Sequence, residues 1–287
     1  MEKITERKTI QAVRETIAQW RKEELSVGFV PTMGYLHQGH RSLIERAAAE
    51  NDRVVVSVFV NPMQFGPKED LATYPRDEQR DNAVCLAAGA DIIFRPTAEE
   101  MYPPGFCSFV DMSAMTATLC GASRPGHFRG VCTVVAKLFH IVKPDRAYFG
   151  QKDAQQLAVI RRMTADLNLD IQIIGCPIVR EADGLAMSSR NTYLNPQERN
   201  AALCLSRALA AAKQHIEAGE KQTSKILSSV RGIIEAEPLA RVDYLELVDA
   251  ATLLPLEKID RPTLCAAAVW IGRTRLIDNL MIEEFEG

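Results

Sequence analysis

Apolar positions recur along this chain with two periods, and the alternation between them predicts its architecture. Ile10, Val13, Ile17 and Trp20 keep helical spacing and predict an amphipathic helix that covers a sheet. Val27 to Val30 is a short apolar run closed by Pro31. After a polar turn, Leu43, Ile44, Ala47 and Ala48 return to helical spacing. Arg53 to Val60 is nearly continuous in β-branched residues, the pattern of a parallel strand buried on both faces. Strand, helix and strand in this order form a βαβ unit. The alternation continues with a helix over Arg76–Ala88, a strand over Asp91–Phe94, a surface loop over Pro96–Gly105 and a helix over Val131–Val142. A strand over Arg146–Phe149, a helix carrying Gln155, Gln156, Leu157, Ile160 and Met163, and a strand over Asp170–Cys176 complete a parallel series of at least five strands. Pro177 marks a domain boundary, giving domains of 1–176 and 177–287.

Beyond that boundary the texture changes. Asn195 caps, Pro196 takes the first helical position and Glu198 the third, so a helix is expected from there to Ala218, where Gly219 stops it. A helix over Thr223–Ala236 and strands over Arg241–Val248, Thr263–Ile271 and Arg275–Met281 predict a small α+β domain.

Composition narrows the function classes. The 287 residues are 47% hydrophobic and 25% charged, as in ordinary globular proteins, and no apolar run approaches the length of a membrane span. Lys plus Arg number 34 against 37 for Asp plus Glu, a net charge of -3, which argues against a nucleic-acid partner and for small-molecule chemistry. The N-terminus is charged, with no signal-peptide pattern. The 7 cysteines are scattered and never in C-x-x-C spacing, which predicts neither disulfides nor a zinc site and fits a reducing cytoplasm.

Candidate chemistry lies where predicted strands end. Thr32 to His40 (TMGYLHQGH) joins the first apolar strand to its helix; two glycines let backbone approach a ligand, and the helix N-terminus favours an anion. His37 and His40, at its rim, could each donate to phosphate oxygens, although a pair of surface or metal-binding histidines would look the same in isolation. Asn61 and Gln64 follow the next strand, in a loop at the edge where open α/β sheets bind ligands. Gly121–Gly130 holds Arg124, His127 and Arg129 among glycines, as a basic loop that closes over phosphates or as a plain connector. Gly150-Gln151-Lys152-Asp153 turns from a strand into a helix, with Lys152 as a mobile charge for a triphosphate. Val179–Asn191 ends in Met187-Ser188-Ser189-Arg190, a series of hydroxyl and guanidinium donors suited to phosphate.

The His-x-Gly-His turn resembles the signature of the HIGH nucleotidyltransferase superfamily, and Met187 to Arg190 resembles its KMSKS-type loop, with Arg190 in a lysine slot. Together, PTMGYLHQGH, FVNPMQF, YPRD, GASRPGHFRGV, YFGQKDAQQL, VREADGLAMSSRN and RLIDNLMI resemble the pantoate–β-alanine ligase (pantothenate synthetase) family almost end to end. The resemblance implies a Rossmann-like N-terminal domain, a smaller C-terminal α+β lid domain and a homodimer. It also implies ATP-dependent joining of (R)-pantoate to β-alanine through a pantoyl adenylate, with Mg2+. By the same resemblance His40, His37, Lys152 and Arg190 are catalytic. Met33, Gly34, Tyr35, Leu36, His37, Gln38, Gly39 and His40 line ATP, as do Gly150, Gln151, Lys152, Asp153, Val179, Met187, Ser188, Ser189 and Arg190. Gln64 and Gln156 hold pantoate, with Asn61 and Arg124 as further substrate residues, and no protein ligand is assigned to the metal. Tyr35 is bulkier than the small residue expected there, and Gln151 replaces a glutamate.

Overall fold

A computed structural model describes residues 4–67 and 69–283 and divides them into two compact units. The first comprises Met1–Met112, Arg124–Gln151 and Val159–Pro177; the second comprises Ser113–Ser123, Lys152–Ala158 and Ile178–Gly287.

In chain order the first part runs β1 (Thr5–Arg7), α1 (Ile10–Lys22), β2 (Val27–Thr32), α2 (Gln38–Glu50), β3 (Arg53–Val58), α3 (Glu78–Ala87) and β4 (Ile92–Phe94). Two short helices, α4 (Ala98–Met101) and α5 (Leu119–Ser123), precede α6 (His127–Val142), β5 (Arg146–Gly150), α7 (Ala154–Asp166) and β6 (Gln172–Cys176). The six strands are all parallel, in the order β1-β4-β3-β2-β5-β6. Successive side chains on a strand face opposite ways, which explains the unbroken apolar runs. Val30, Val54, Val56 and Ile93 pack on one face with Leu43, Ile44 and Ala47 of α2. Phe29 and Phe149 meet Phe139 of α6, edge to face, from the other. Each such large side chain at 0% exposure, as at Phe29 and Ile44, stabilises by roughly 1.5–3 kcal/mol relative to leaving it in water.

The chain passes outward from β2 to β3 and β4, then returns to the other side of β2 for β5 and β6. That reversal makes the carboxyl ends of β2 and β5 a topological switch point, where doubly wound sheets place their ligands. The turn after β2 is Met33 to His37, and Gly150 ends β5.

Three local expectations are corrected. Pro96–Gly105 is not irregular throughout: Thr97 caps α4 by accepting from Glu100 N, and the helix buries Met101 fully. The basic Gly121–Gly130 segment is largely helical, since α5 extends to Ser123 and α6 begins at His127 behind Gly126, whose φ of 83° suits glycine. Gly130 lies within α6, and a Cβ there would fall 2.7 Å from Gln64 Cα, so the glycine serves close packing rather than loop mobility. Strand β1 has too little apolar pattern to announce itself and forms by pairing with β4.

The second unit adds α8 (Pro196–Ala201), α9 (Leu203–Glu217), α10 (Thr223–Glu235), β7 (Ala240–Asp249), β8 (Thr263–Ile271) and β9 (Thr274–Ile282). The three strands form an antiparallel sheet, β7-β8-β9, and α9 and α10 bury Leu205, Leu209, Ile226 and Val230 with Leu247, Val269 and Ile271. Asn195 and Glu198 form the expected reciprocal cap. The expected single helix is divided at Ala202, where Leu205 N bonds back to Ala202 O in a tightened turn. The α/β sheet with a smaller α+β unit is thus the architecture the periodicity predicts.

Candidate active site

Helix α2 begins with two histidines that cap each other. His37 is the N-cap residue, and its Nδ1 accepts from Gly39 N at 3.1 Å. His40 Nδ1 accepts from His37 N at 3.3 Å, and the rings lie 4.1 Å apart. A ring nitrogen that accepts a backbone N–H is unprotonated, so in the neutral rings the proton sits on Nε2. Each ring therefore has Nε2–H as its donor atom. The cap makes a helix N-terminus with its positive dipole end and two oriented imidazole donors, a site suited to phosphate.

The turn that leads into this cap is held from α3. Gly34 has φ 85° and Tyr35 φ 52°, two successive left-handed residues. A Cβ on Gly34 would lie 3.0 Å from Asp81 Oδ2, so the position has neither conformational nor steric room for a side chain. Asp81, 2% exposed, accepts from Leu36 N at 2.7 Å and Tyr35 N at 3.1 Å. Burial pushes its carboxyl above the ordinary range, while those two N–H groups pull the other way. Its neighbour Arg80 donates to Leu36 O at 2.8 Å and lies over the Tyr35 ring at 4.6 Å. The bulk of Tyr35 is thus directed to a guanidinium contact. Neither Arg80 nor Asp81 was a candidate from sequence; the YPRD block ends four residues before Asp81, and nothing local marks its burial.

Beyond β3, Asn61 opens a 3₁₀ turn over Pro62–Gln64. Asn61 is 1% exposed and its amide is fully engaged: Oδ1 accepts from Met63 N and from the Tyr102 hydroxyl, and Nδ2 donates to Gln64 Oε1 and Gly130 O. Gln64 Nε2 donates to Met33 Sδ at 3.2 Å, which joins this turn to the histidine turn. Arg124 forks onto Glu69 at 2.6 and 2.7 Å, and also donates to His127 Nε2 at 3.1 Å. A guanidinium only donates, so His127 Nε2 accepts and its Nδ1–H donates to Gln64 O at 2.9 Å. Burial opposes charge on Glu69, but the Arg124 fork and Gly66 N outweigh it and hold its pKa down to about 2.

Gly150 ends β5 and Gln151 follows it in the first unit, and the remaining candidates lie in the second. Lys152 and Asp153 sit in a 3₁₀ turn before α7, and Gln156 is the third residue of that helix. Its buried neighbour Gln155 anchors the helix start by donating to Met115 O and Thr118 O. Val179 O accepts from Met187 N, closing a hairpin that turns at Gly184, φ 93°. Ser188 then caps a 3₁₀ turn over Ser189–Tyr193 by accepting from Arg190 N; as acceptor it keeps its own hydroxyl proton to donate, whereas Ser189 is only 6% exposed. Two neighbours on β9 hold both segments. Asp278 takes Arg180 of the hairpin in a fork at 2.6 and 3.0 Å, and Asn279 Nδ2 donates to Lys152 O at 2.9 Å. RLIDNLMI is therefore the strand that carries the supports of Lys152 and of the Met187–Arg190 hairpin, a role without a local sequence signal.

The first unit thus brings Met33 to His40 together with Gln64 and, through Gln64, with Asn61 and Arg124. The second brings Lys152 and Asp153 onto the same strand as the hairpin that carries Val179 and Met187 to Arg190.

The sequence profile described as pantoate-beta-alanine ligase matches residues 5–281. A pantothenate synthetase of Ruminiclostridium cellulolyticum is 59% identical over 271 residues, covering 94% of this chain and 96% of the relative. One from Heliobacterium modesticaldum is 59% identical over 278 residues, covering 96% and 99%. Among solved structures, the pantothenate synthetase of Thermus thermophilus superposes with a TM-score of 0.93 at 48% identity, covering 98% of this chain and 100% of that one. The pantoate-beta-alanine ligase of Francisella tularensis, solved with beta-gamma ATP and beta-alanine, gives 0.79 at 32% identity, with 97% of each covered. With a family profile and close relatives that span nearly its whole length, this chain belongs to the pantoate–beta-alanine ligase family.

Proposed function

We propose that this chain condenses (R)-pantoate with β-alanine at the expense of ATP, releasing AMP and diphosphate and supplying pantothenate, the coenzyme A precursor. The observation that carries the reading is the reciprocal histidine cap at the start of α2, an anion site at the switch point of a chain from this family. A carboxylate is a poor electrophile and its oxygen a poor leaving group, and adenylation repairs both faults. In the first half-reaction a pantoate carboxylate oxygen attacks the α-phosphorus of ATP in line, and the bond to diphosphate breaks. His37 and His40 donate through Nε2 to the charge that grows on the phosphates, with Lys152 and Arg190 supplying fixed positive charge. In the second, the neutral amine of β-alanine attacks the acyl carbon of the adenylate, its proton is lost and the bond to AMP breaks. No covalent enzyme intermediate is needed.

Met33 to Gln38, Gly39, Gly150, Gln151, Asp153, Val179, Met187, Ser188 and Ser189 complete the ATP contacts in this reading. Gln64 and Gln156 read pantoate, with Arg124 holding the Gln64 backbone. Among the described residues no group of three or more His, Cys, Asp or Glu could hold a metal ion. Mg2+ commonly keeps its waters and takes phosphate oxygens, so it would arrive on ATP, and no protein ligand is assigned to it. The chemistry such an ion would supply is withdrawal of charge from the phosphates. No described helix is long and apolar enough to cross a membrane. All 7 cysteines are free thiols, which supports a reducing, cytoplasmic setting. The homodimer is carried over from the resemblance and is checked by sedimentation.

The test is AMP formation with pantoate and β-alanine omitted in turn, together with exchange of labelled diphosphate into ATP. Exchange with pantoate alone is expected. Exchange that strictly requires β-alanine would remove the adenylate, and a product that retains AMP would make the protein a nucleotidyltransferase instead.

A further inference from the structure

We propose that Tyr102 is a positioning residue that tightens the Asn61 amide on which Gln64 is oriented, so that Gln64 holds its N–H groups aimed at the acid substrate. The inference rests on the reading of Gln64 as a pantoate contact.

The argument starts from backbone groups whose roles cannot change. Met63 N can only donate, and it points to Asn61 Oδ1 at 3.3 Å; Gly130 O can only accept, and it faces Asn61 Nδ2 at 3.2 Å. The Asn61 amide therefore has one orientation, and the Tyr102 hydroxyl, 2.7 Å from Oδ1, must be a donor. With Nδ2 so placed, the atom of Gln64 that faces it at 3.0 Å must be the carbonyl oxygen Oε1. The Gln64 amine is left to face outward, where it meets Met33 Sδ at 3.2 Å. A thioether is a weak acceptor. A substrate oxygen that replaces it gains a stronger bond at little cost.

Tyr102 supplies the shortest bond in this network. Without it, Asn61 keeps its orientation but is held only by the longer bonds from Met63 N and to Gly130 O, at 3.3 and 3.2 Å, so the amide that orients Gln64 is held less tightly. Gln64 then wavers about its bond to Asn61 Nδ2, and its N–H groups are less well aimed at a hydroxyl or carboxylate. The phenol ring is fixed independently by Phe59 and Phe106, at 6.1 and 5.0 Å between centroids, so Tyr102→Phe removes the donor and keeps the packing. Burial holds the phenol well above its ordinary pKa, so it stays a donor across the working range.

The experiment is a double-mutant cycle on kcat/KM for pantoate, using Tyr102→Phe, Gln64→Ala and the double variant, with KM for ATP measured alongside. Tyr102→Phe should lower kcat/KM for pantoate about 3- to 10-fold, mostly through KM, and leave KM for ATP unchanged. In the Gln64→Ala background the same change should have no further effect, because its target is gone. An undiminished effect in that background, no effect in the wild type, or an equal rise in KM for ATP would overturn the role of Tyr102 while leaving Gln64 as a pantoate contact. If Gln64→Ala itself leaves pantoate kinetics unchanged, the reading of Gln64 falls and the inference falls with it.

Discussion

The Met33–His40 turn and the Met187–Arg190 loop are both read as facing phosphate, yet they are held at different ranges. The histidine turn owes its cap to its own neighbours, since His37 and His40 cap each other three residues apart, and one distant buried carboxylate, Asp81, takes two N–H groups. The second loop leans on ion pairs made beyond it: Arg180 with the buried Asp278, 98 residues apart, and Glu181 and Asp183 with Arg199. A short-range scaffold tolerates the loss of a distant partner. A long-range one ties the loop to charges far along the chain.

The largest expected effect breaks the second scaffold. The two partners are unequally exposed, 34% for the Arg180 side chain and 2% for Asp278, so they should not be equivalent on removal. Arg180→Met strands a buried carboxylate and should cost about 3–5 kcal/mol in urea unfolding of the second unit. Asp278→Asn leaves a guanidinium that water can reach, and should cost only about 1–2 kcal/mol. Equal losses would mean that the pair is solvated in both partners and that the hairpin is held elsewhere.

The first scaffold is tested by chemistry rather than stability. His40→Ala should lower single-turnover adenylation about 10²- to 10³-fold, the usual cost of one transition-state donor. The cap it removes is worth about 0.5–2 kcal/mol, so the fold should survive. A normal adenylation rate with a lowered melting temperature would make His40 a cap and nothing more. A smaller effect is expected at Asp81→Asn: the amide keeps one acceptor but turns its N–H groups toward the second backbone N–H. KM for ATP should rise about 5- to 20-fold, with pantoate affected less.

This contrast of range also explains what the sequence made legible. The sheet, the two units' fold classes and the capped helices are local patterns of period and cap, and they were readable because β2, β3 and α2 carry their partners' requirements in their own residues. The histidine pair, Gln64, Lys152 and Arg190 were readable as candidates because each sits at a strand end or turn. Asp81, Tyr102, Asp278 and Asn279 were not. Each looks like an ordinary polar residue in sequence and gains its role from a partner 41 to 127 residues away. The helical start at His127 was missed for a related reason, since Gly130 reads as loop punctuation until the backbone of Met63 and Gln64 is seen packed against it.

Two carboxylates of the first unit allow a last test, in which the sign carries the information. Glu69, despite burial, is held down to a pKa of about 2 by Arg124 and Gly66 N. A depressed acid contributes stability that is present above its unfolded value, near 4.5, and is lost as pH falls toward its folded value. Asp81 is shifted upward by burial. Its contribution has the opposite sign, present below the unfolded value near 3.8 and lost as pH rises through the folded one. Urea unfolding measured between about pH 3 and 6 should therefore show opposing slopes in the two variants. Glu69→Gln should remove about 1–2 kcal/mol of the rise in stability with pH, a value below the full worth of the shift because the pair is partly exposed. Asp81→Asn should make that rise steeper, because it deletes a carboxylate whose charging opposes folding. If Asp81→Asn flattens the curve instead, its two N–H donors outweigh burial, and the turn beside the histidines is held by a relaxed carboxylate rather than one kept charged at a cost.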